Sequence, residues 1–366
     1  MKNCKISVII LENSDSQSAE RLSKKLLSNL KSEGVFISPG FRYSFLTLSI
    51  GISNYPEDAQ TPEDLLRHAD SAMLAVKRSG KHGFKRYNST DDAATEYQQM
   101  LAHELAGAIE RQEISLVFQP IYDLRTAKIV KVESLLRWTH PTLGRISPTD
   151  FIPVAEHSGL ILSLGHWVIE QACLSASAWK DIQVCVNLSA LQLLQHSFME
   201  DLNREIQKNG LSPTHLALEI TETMLMRDDP HTRYILDELN SLGIDLIIDD
   251  FGIGYSNFNR LRTLPVQSLK IDQSFTFNIV GQSVEHLYVQ QIVRSTVNLS
   301  QIADLQVTAE GIETAEQLDM VQSLGCHYGQ GYLFSRPCSA EQIDVLLAQS
   351  ELPAWFRPAT PAVPPT

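Results

Sequence analysis

The sequence lacks long hydrophobic runs and an excess of positive charge. No apolar run approaches the roughly 18 to 20 residues that a membrane-spanning helix needs, and the start, MKNCKISVII, is too short and too mixed for a signal peptide. With 30 Lys and Arg against 43 Asp and Glu, the formal net charge is -13. Polymeric nucleic acid and anionic membranes both reward clustered cations. We therefore expect a cytoplasmic protein without a membrane span and without a nucleic-acid polymer as partner.

Cysteine is scarce, and metal-binding patterns of cysteine and histidine are absent. The total of five cysteines is odd and includes no C-x-x-C pair, and the 11 histidines form no H-E-x-x-H pattern. This pattern favours reduced, mostly buried thiols over the alternative that some of them bind metal. Zinc is not expected. The last residues, ELPAWFRPATPAVPPT, are proline-rich and are predicted to be disordered after Phe356.

The hydrophobic pattern changes near residue 90. Before it, we predict a strand at Ser7 to Leu11, a helix at about Ser18 to Lys31, a strand within YSFLTLSIGIS and a helix within TPEDLLRHADSAMLAVKRSG. Together these elements form a small α+β unit. We therefore divide the chain into this unit at 1–90, a linker helix at 91–112, a second domain at 113–350 and a tail at 351–366.

The second domain alternates short branched strands with helical segments, which is typical of an α/β protein. Eight strands fit a (β/α)8 TIM-like barrel better than the alternative, an open doubly wound sheet, because no G-x-G-x-x-G opens a helix. Only RTAK separates the first two strands, too few residues for a crossover helix. The first strand should therefore pair as a hairpin and run antiparallel. The predicted strands are SLVFQPIYDL, KIVKVESLLRW, IQVCVNLSA, LALEITE, LIIDDFG, SLKID, QVTAEGI and HYGQGYLF.

Polar residues keep one parity along these strands. In the third strand, Val184 and Val186 share one face and Asn187 lies on the other. Barrel strands alternate between the helix-facing shell and the interior, and functional groups collect at their carboxyl ends. We therefore predict that the apolar faces contact the helices and that the other faces point to the axis. The side chains placed there are Glu133, Leu135, Arg137, Asn187, Glu219, Asp249, Lys270 and Glu310.

Several acids at one end of a barrel require cations. Any one carboxylate could be a solvated strand-end residue, but a group of them is prohibited by repulsion and desolvation unless cations are present. Oxygen-only ligands suit Mg²⁺ or Mn²⁺ rather than zinc. Asp249 at a strand end could bridge two ions, and Asp250, where the chain turns, could reach the second. Two such ions activate water for in-line attack on phosphorus, which predicts phosphodiester hydrolysis.

The ordered motifs ESLLRW, VNLSA, LEITE, DDFGIGYSNF, LKID, AEGIE and GQGYLFSRP resemble the EAL domain of bacterial cyclic-di-GMP phosphodiesterases over residues 100 to 350. The resemblance implies a (β/α)8-type barrel with an antiparallel first strand, a homodimer formed through this domain, and opening of cyclic-di-GMP to linear pGpG. Such an enzyme lowers a bacterial second messenger in signal transduction.

The resemblance also implies roles for individual residues. Lys270 would lie near the attacking water, and Glu310 would be the general base or water-orienting group, with Glu313 close by. The alternative for Lys270 is an ion pair with Asp272 or Asp249. Glu222 would hold the loop DFGIGYSNF. The metal ligands would be Glu133, Asn187, Glu219, Asp249 and Asp250, and the substrate contacts would be Gln119, Leu135, Arg137, Gln330 and Pro337.

The sequence departs from the family pattern at a few positions, none of them a metal ligand. Ser134 replaces the alanine of the signature, and its parity places it on the helix-facing side. Ile253, Asn257 and Phe258 differ from common loop residues and could alter the loop or the dimer.

The stretch LTLSIGISNYPEDAQTPEDLLRHADSAMLAVKRSGKHG carries a second resemblance: residues 1 to 88 resemble the second half of a GGDEF domain, the module that makes cyclic-di-GMP. The signature position falls on roughly Asn3 to Ser7, which has neither its glycines nor its acids. Lys77 and Lys81 match phosphate-contacting positions but are read as surface charges. This degenerate unit should have no synthase activity, and exposed apolar surface on it predicts either contact with a protein partner or poor local order.

Three hypotheses remain for the function. The first is the metal-dependent phosphodiesterase. The second is a receptor that holds cyclic-di-GMP without cutting it, and the third is an interaction scaffold without nucleotide affinity. Retention of every acid favours catalysis over the receptor, and the presence of Gln119, Arg137 and Gln330 argues against the scaffold.

Overall fold

The computed structural model describes residues 7–33, 35–38, 41–43, 48–78, 82–179, 181–225, 229–252 and 263–349. The chain divides into two compact units, Met1–His103 and Glu104–Thr366. No described helix combines the length and the hydrophobicity that a bilayer crossing requires. The predicted disordered tail lies outside the described residues, as do Lys81 and the loop positions Ile253, Asn257 and Phe258.

The first unit is a small α+β structure, as predicted. Strands β3 and β4 pair in parallel, and β1 and β2 pair antiparallel. A Cβ on Gly51 of β3 would lie 1.9 Å from Ala69 O, so only glycine allows α2 to pack this closely on the strand. The elements are α1 (Ser16–Glu33), β1 (Val35–Ser38), β2 (Phe41–Tyr43), β3 (Ser49–Ile52), α2 (Pro62–Arg78), β4 (Gly83–Arg86) and α3 (Ser89–Leu105).

Two predictions for this region are wrong, one for a strand and one for the end of a helix. Ser7 to Leu11 does not form a strand, because a strand needs a hydrogen-bonded neighbour and no described residue pairs with this segment. Its side chains are exposed, Ile10 at 82%. The helix predicted to reach Gln112 ends at Leu105, since Gly107 adopts φ 105°, which a helix cannot continue.

The second unit is a closed eight-stranded barrel, as predicted. The order is β5-β13-β12-β11-β10-β9-β8-β6, and β5 pairs with β6 to close it. The pairs of β5 with β6 and with β13 are antiparallel, which confirms the antiparallel first strand. The short strand β7, which extends β6 as a hairpin, was not predicted. The strands are β5 (Ile114–Asp123), β6 (Ile129–His140), β7 (Gly144–Ile146), β8 (Gln183–Asn187), β9 (Leu216–Thr221), β10 (Asp245–Phe251), β11 (Ser268–Ile271), β12 (Gln306–Ala309) and β13 (Tyr328–Gly329).

Helices surround the barrel and are fixed by local capping. Asp229 accepts hydrogen bonds from the backbone of His231 and Thr232 at the start of α9, and Gly243 at φ 87° ends that helix. The helices are α4 (Pro148–Ser158), α5 (Ile161–Ala178), α6 (Ala190–Leu193), α7 (Phe198–Lys208), α8 (Glu222–Leu225), α9 (Pro230–Leu242), α10 (Gln273–Phe277), α11 (Val284–Ile302), α12 (Ala315–Ser323) and α13 (Ala340–Ala348).

The predicted parity of the strands is confirmed. The outward faces, among them Val184, Leu218 and Leu246, join the main hydrophobic core between barrel and helices. A second, smaller core lies inside the barrel and forms a floor beneath the polar layer, made of Ile121, Cys185, Ala217 and Ile247 with half-buried Tyr328 against them. The described cysteines are free thiols, and Cys173, Cys185 and Cys326 are buried.

Candidate active site

Lys270 lies at the centre of a layer of acids above the floor of the barrel. Its side chain is 1% exposed. The ammonium Nζ is 2.9 Å from Glu133 Oε2 and 3.0 Å from Glu219 Oε2. It is also 2.7 Å from Glu310 Oε1 and 3.7 Å from Asp249 Oδ1. Acids from four strands or strand ends thus converge on one cation, as the parity of the strands predicted.

Glu133 is held by amides as well as by Lys270. Asn187 Nδ2 donates to its Oε1 at 2.9 Å, and Gln330 Nε2 donates to its Oε2 at 2.7 Å. Gln330 Nε2 also lies 3.1 Å from Gln119 Oε1, and Gln119 Nε2 donates to Ser335 O at 3.2 Å. This network ties the end of β13 to Glu133 of β6 and fixes the orientation of the Glu133 carboxylate.

A bulge in β10 lies at the two adjacent acids Asp249 and Asp250. Ile248 pairs with Leu269, but Phe251 pairs with Ile271, so β10 has one residue more than β11 in this interval. Asp250 sits in the bulge with φ 56°, the left-handed region that Asp tolerates better than most residues. Without the bulge, Asp249 and Asp250 would point to opposite faces of the strand.

The acids of this layer carry more negative charge than the single ammonium of Lys270 can neutralise. Burial, and then repulsion from Glu133, hold the pKa of Glu219 well above its usual value. Burial is also the main reason that the pKa of Glu310 is raised to about 8. For Glu133, burial would raise the pKa, but attraction to Lys270 and hydrogen bonds outweigh it and leave the pKa lowered. Likewise, burial opposes the charge of Lys270, yet the surrounding acids raise its pKa well above the ordinary value.

The donor set fits a hard divalent cation. Glu219 Oε1 and Asp249 Oδ1 are buried oxygens without a hydrogen-bond partner among the described residues, and their chemistry suits Mg²⁺ or Mn²⁺. In the described ranges, no three His, Cys, Asp or Glu side chains already have a metal-binding arrangement, since the Lys270 ammonium lies between the acids. A cation would supply the charge that a single lysine cannot.

The residues expected to contact substrate lie around this layer. Leu135 and Arg137 follow Glu133 on the same face of β6 and are half-buried. Arg137 Nη1 donates to Leu136 O at 2.8 Å, and burial lowers its pKa. Pro337 is half-buried and precedes Cys338, whose backbone pairs with Phe118 of β5. The structure thus places all three near the end of the barrel where the acids lie.

Three further expectations have a geometric outcome. Glu222 Oε2 accepts a hydrogen bond from Gly252 N at 3.3 Å, at the start of the loop it was expected to hold. Glu313 is exposed, and its backbone N–H donates to Gln317 Oε1 at 2.8 Å. Asp272 is not the ion-pair partner of Lys270; its Oδ1 accepts from Ser274 N at 2.9 Å and caps α10.

Sequence reasoning missed two features of the site. One is that Lys270 joins the acids to one another, although a lysine on the interior face of SLKID among so many interior acids is a signal for it. The other is the stacking of the Arg336 guanidinium on the Tyr332 ring at 4.3 Å, for which the spacing i, i+4 in YLFSR is a weak signal. Ser134 donates to Cys185 O at 2.8 Å, away from the acids, as its parity predicted.

Comparisons with known proteins agree with this architecture. The family model described as "EAL domain" matches residues 102–337, and the one described as "Diguanylate cyclase, GGDEF domain" matches residues 7–83. The chain is 36% identical over 341 residues to the bifunctional diguanylate cyclase/cyclic di-GMP phosphodiesterase MucR of Pseudomonas aeruginosa, covering 92% of this chain and 49% of MucR. It is 32% identical to the cyclic di-GMP phosphodiesterase NbdA of the same organism, covering 93% of this chain and 43% of NbdA. The chain thus spans about half the length of these curated relatives, or less.

Solved structures give the same result. The MucR phosphodiesterase in complex with c-di-GMP aligns with a TM-score of 0.63 at 38% identity, covering 67% of this chain and 99% of that one. The EAL enzyme Bd1971, in its form bound to cAMP and cyclic-di-GMP, aligns with a TM-score of 0.67 at 30% identity, covering 80% of this chain and 77% of that one.

Proposed function

This chain belongs to the EAL-domain family, and from that premise we propose that it hydrolyses cyclic-di-GMP to linear pGpG with the help of divalent cations. The single observation that carries the proposal is the convergence of Glu133, Glu219, Asp249 and Glu310 on Lys270 at the mouth of the barrel. Buried acids in this excess need cations, and phosphodiester hydrolysis uses them.

The cations proposed are two Mg²⁺ or Mn²⁺ ions, in a family of metal-dependent phosphodiesterases. When bound, they would activate water and neutralise charge on the phosphate. The unpartnered oxygens of Glu219 and Asp249 support this assignment. The residues that would hold the ions are Glu133, Asn187, Glu219, Asp249 and Asp250.

The chain's own residues supply proton transfer and orientation. Glu310 would accept a proton from the attacking water, because its carboxyl lies in the layer of acids, 2.7 Å from Lys270 Nζ, where the water would be held. Lys270 would stabilise negative charge on phosphorus-bound oxygens. Attack breaks the bond from phosphorus to the ribose oxygen, which leaves as a hydroxyl, so the ring opens to a linear dinucleotide. Around the phosphates and bases, the proposed contacts are Gln119, Leu135, Arg137, Gln330 and Pro337.

The remaining proposals concern partners and location. The EAL-domain part would form a homodimer, with Glu222 holding the loop that begins at Gly252 and Glu313 close to the site. The exposed Val8, Ile9 and Ile10 support a protein partner for the first unit. That unit has no GGDEF signature in its sequence, so no synthase activity is proposed. The free cysteines fit the reducing cytoplasm.

A cleavage assay tests the proposal. Purified protein is incubated with cyclic-di-GMP and Mg²⁺ or Mn²⁺, and pGpG is measured by chromatography. We expect pGpG with the wild type and with Glu200→Ala, a control at an exposed acid on α7. Glu133→Ala should lose at least about 100-fold in turnover, because it removes the acid held by Lys270, Asn187 and Gln330.

The other hypotheses predict different results in the same assay. Tight binding of cyclic-di-GMP without pGpG would support a receptor, and absence of binding would support a scaffold. Full activity of Glu133→Ala would overturn the metal assignment even if the wild type cleaves.

A further inference from the structure

The hairpin of β6 and β7 forms a wall above the acids. β6 pairs with β8 only from Lys131 to Ser134, but it continues to His140 and pairs there with β7. The residues of β6 beyond Ser134 therefore extend past the end of β8, on the side of the barrel where the acids lie. Side chains with the parity of Glu133 face the space over those acids.

Two arginines share that face of the wall. Arg137 and Thr139 have the parity of Glu133. Thr139 lies directly opposite Arg145 in the register of β6 and β7, and opposite residues of an antiparallel pair project to the same side. Arg145 is thus diagonal to Arg137, a relation in which Cβ atoms are roughly 7–8 Å apart. The opposite face carries Trp138 and Ile146, which are buried.

These two guanidinium groups have no carboxylate partner in ion-pair contact among the described residues. Arg137 donates only to the backbone oxygen of Leu136 at 2.8 Å, and the side chain of Arg145 makes no hydrogen bond or ion pair to any residue in the described ranges. Burial lowers the pKa of Arg137; the charges of Tyr332 and Glu133 oppose this effect, and the positive charge of Arg145 adds a smaller lowering. Among the described residues, neither of these neighbouring cations forms an ion pair with a carboxylate, in a chain of net charge -13. The pair is therefore suited to bind an anion.

We propose that Arg145 is a specificity residue that, together with Arg137, binds the phosphate of cyclic-di-GMP that is not cleaved. The inference rests on the proposed function. A cyclic dinucleotide has two phosphodiester groups, each with one negative charge. The acids, Lys270 and the cations act on one of them, and the second needs a cationic partner higher on the wall. Guanidinium groups pair with phosphate oxygens through two parallel hydrogen bonds.

Steady-state kinetics with two substrates test the inference. Arg145 lies away from the reacting atoms, so Arg145→Gln should raise KM for cyclic-di-GMP roughly three- to tenfold with kcat changed by less than about twofold. Arg145→Lys should keep part of the affinity. Bis(p-nitrophenyl) phosphate has a single phosphate, so its hydrolysis should be the same in the wild type and in Arg145→Gln. The matched control is Arg125→Gln, which removes an exposed arginine from the β5–β6 turn at the opposite end of the barrel.

Each outcome decides the matter. A selective rise of KM for cyclic-di-GMP, absent in Arg125→Gln, supports the inference. An unchanged KM in Arg145→Gln, or an equal change for both substrates, overturns it while cleavage by the wild type still supports the proposed function. If the wild type neither binds nor cleaves cyclic-di-GMP, the proposed function fails and this inference fails with it.

Discussion

Lys270 is the residue on which the electrostatics of the site depend. One ammonium group contacts Glu133, Glu219 and Glu310 within 3.0 Å, so negative charge remains in excess. Burial raises the pKa values of Glu219 and Glu310. These carboxyls therefore hold protons more tightly, which reduces the excess of negative charge. The apo site should therefore respond to pH in a direction that the pKa values determine.

In the absence of divalent cations, we expect the free energy of unfolding to fall as pH rises from about 5 to about 8. The pKa of Glu310 is raised from 4.5 to about 8 by burial, so between these values the folded state holds a proton that the unfolded chain has released. Stability from this group is complete below the lower value and is lost as pH passes the upper one. Glu219, whose pKa is also raised, acts in the same direction. Urea unfolding in a chelating buffer at a series of pH values measures the slope.

Glu310→Gln imitates the protonated acid and should make this slope shallower. Glu285→Gln, at an exposed acid in the first turn of α11, is the control and should keep it. An identical slope in Glu310→Gln and wild type would contradict the assignment.

At the scale of residues, the sequence predicted which side chains meet but not how they are bonded. Strand parity was sufficient to group Glu133, Asn187 and Glu219, because period two is a property of any strand. It could not predict that Gln330 donates to Glu133, since that bond depends on how the barrel closes. Nor could it show that Asp272 caps a helix rather than pairing with Lys270.

Among the elements, β10 shows how one extra residue changes a site. Its bulge lies at two consecutive acids, Asp249 and Asp250, and the bulge requires φ 56° at Asp250. β-branched residues are strongly disfavoured at positive φ, whereas Asp and Asn tolerate it. The identity of residue 250 thus affects both the strain of the backbone in the bulge and the number of carboxylates beside Asp249.

We predict that Asp250→Val lowers the free energy of unfolding by about 1–3 kcal/mol relative to Asp250→Asn. Both variants lose the charge, but only valine strains the bulge. Asp250→Gly should be at least as stable as Asp250→Asn. Urea unfolding of the three variants under one condition measures the difference, and equal stability of the Val and Asn variants would show that the bulge does not depend on this residue.

Strands in a regular alternation of branched apolar runs and helical segments were predictable. Strands whose existence depends on pairing with another segment were not. The eight barrel strands follow from short branched runs separated by helices. Ser7 to Leu11 has the same composition, yet no described residue pairs with it. The strand β7, of three residues, is too short to have a pattern and exists because it pairs with the end of β6.

In the whole molecule, a divalent cation should stabilise the unit that contains the acids. The acids around Lys270 belong to the unit Glu104–Thr366. Ligands that bind only the folded state stabilise it, by about 2.7 kcal/mol at a concentration about 100 times Kd. We therefore expect Mn²⁺ to move the unfolding of this unit to higher temperature.

Differential scanning calorimetry measures this shift. Equal ionic strength from NaCl is the first control, and Glu219→Gln, which should reduce the shift, is the second. No shift with Mn²⁺, or an equal shift in Glu219→Gln and in the wild type, would contradict a cation site among these acids.

The fold class was predictable from the sequence because it depends on the rhythm of strands and helices, and the RTAK turn was enough to predict an antiparallel first strand. The end of the helix at Leu105 was not predicted; Gly107, two residues further on, adopts φ 105°.

The floor of Ile121, Cys185, Ala217 and Ile247 has a consequence for turnover. Because this floor closes the barrel beneath the polar layer, the proposed substrate and product would enter and leave the site from the same side. Product would then compete with substrate for the same site, and the rate of turnover would fall as product accumulates.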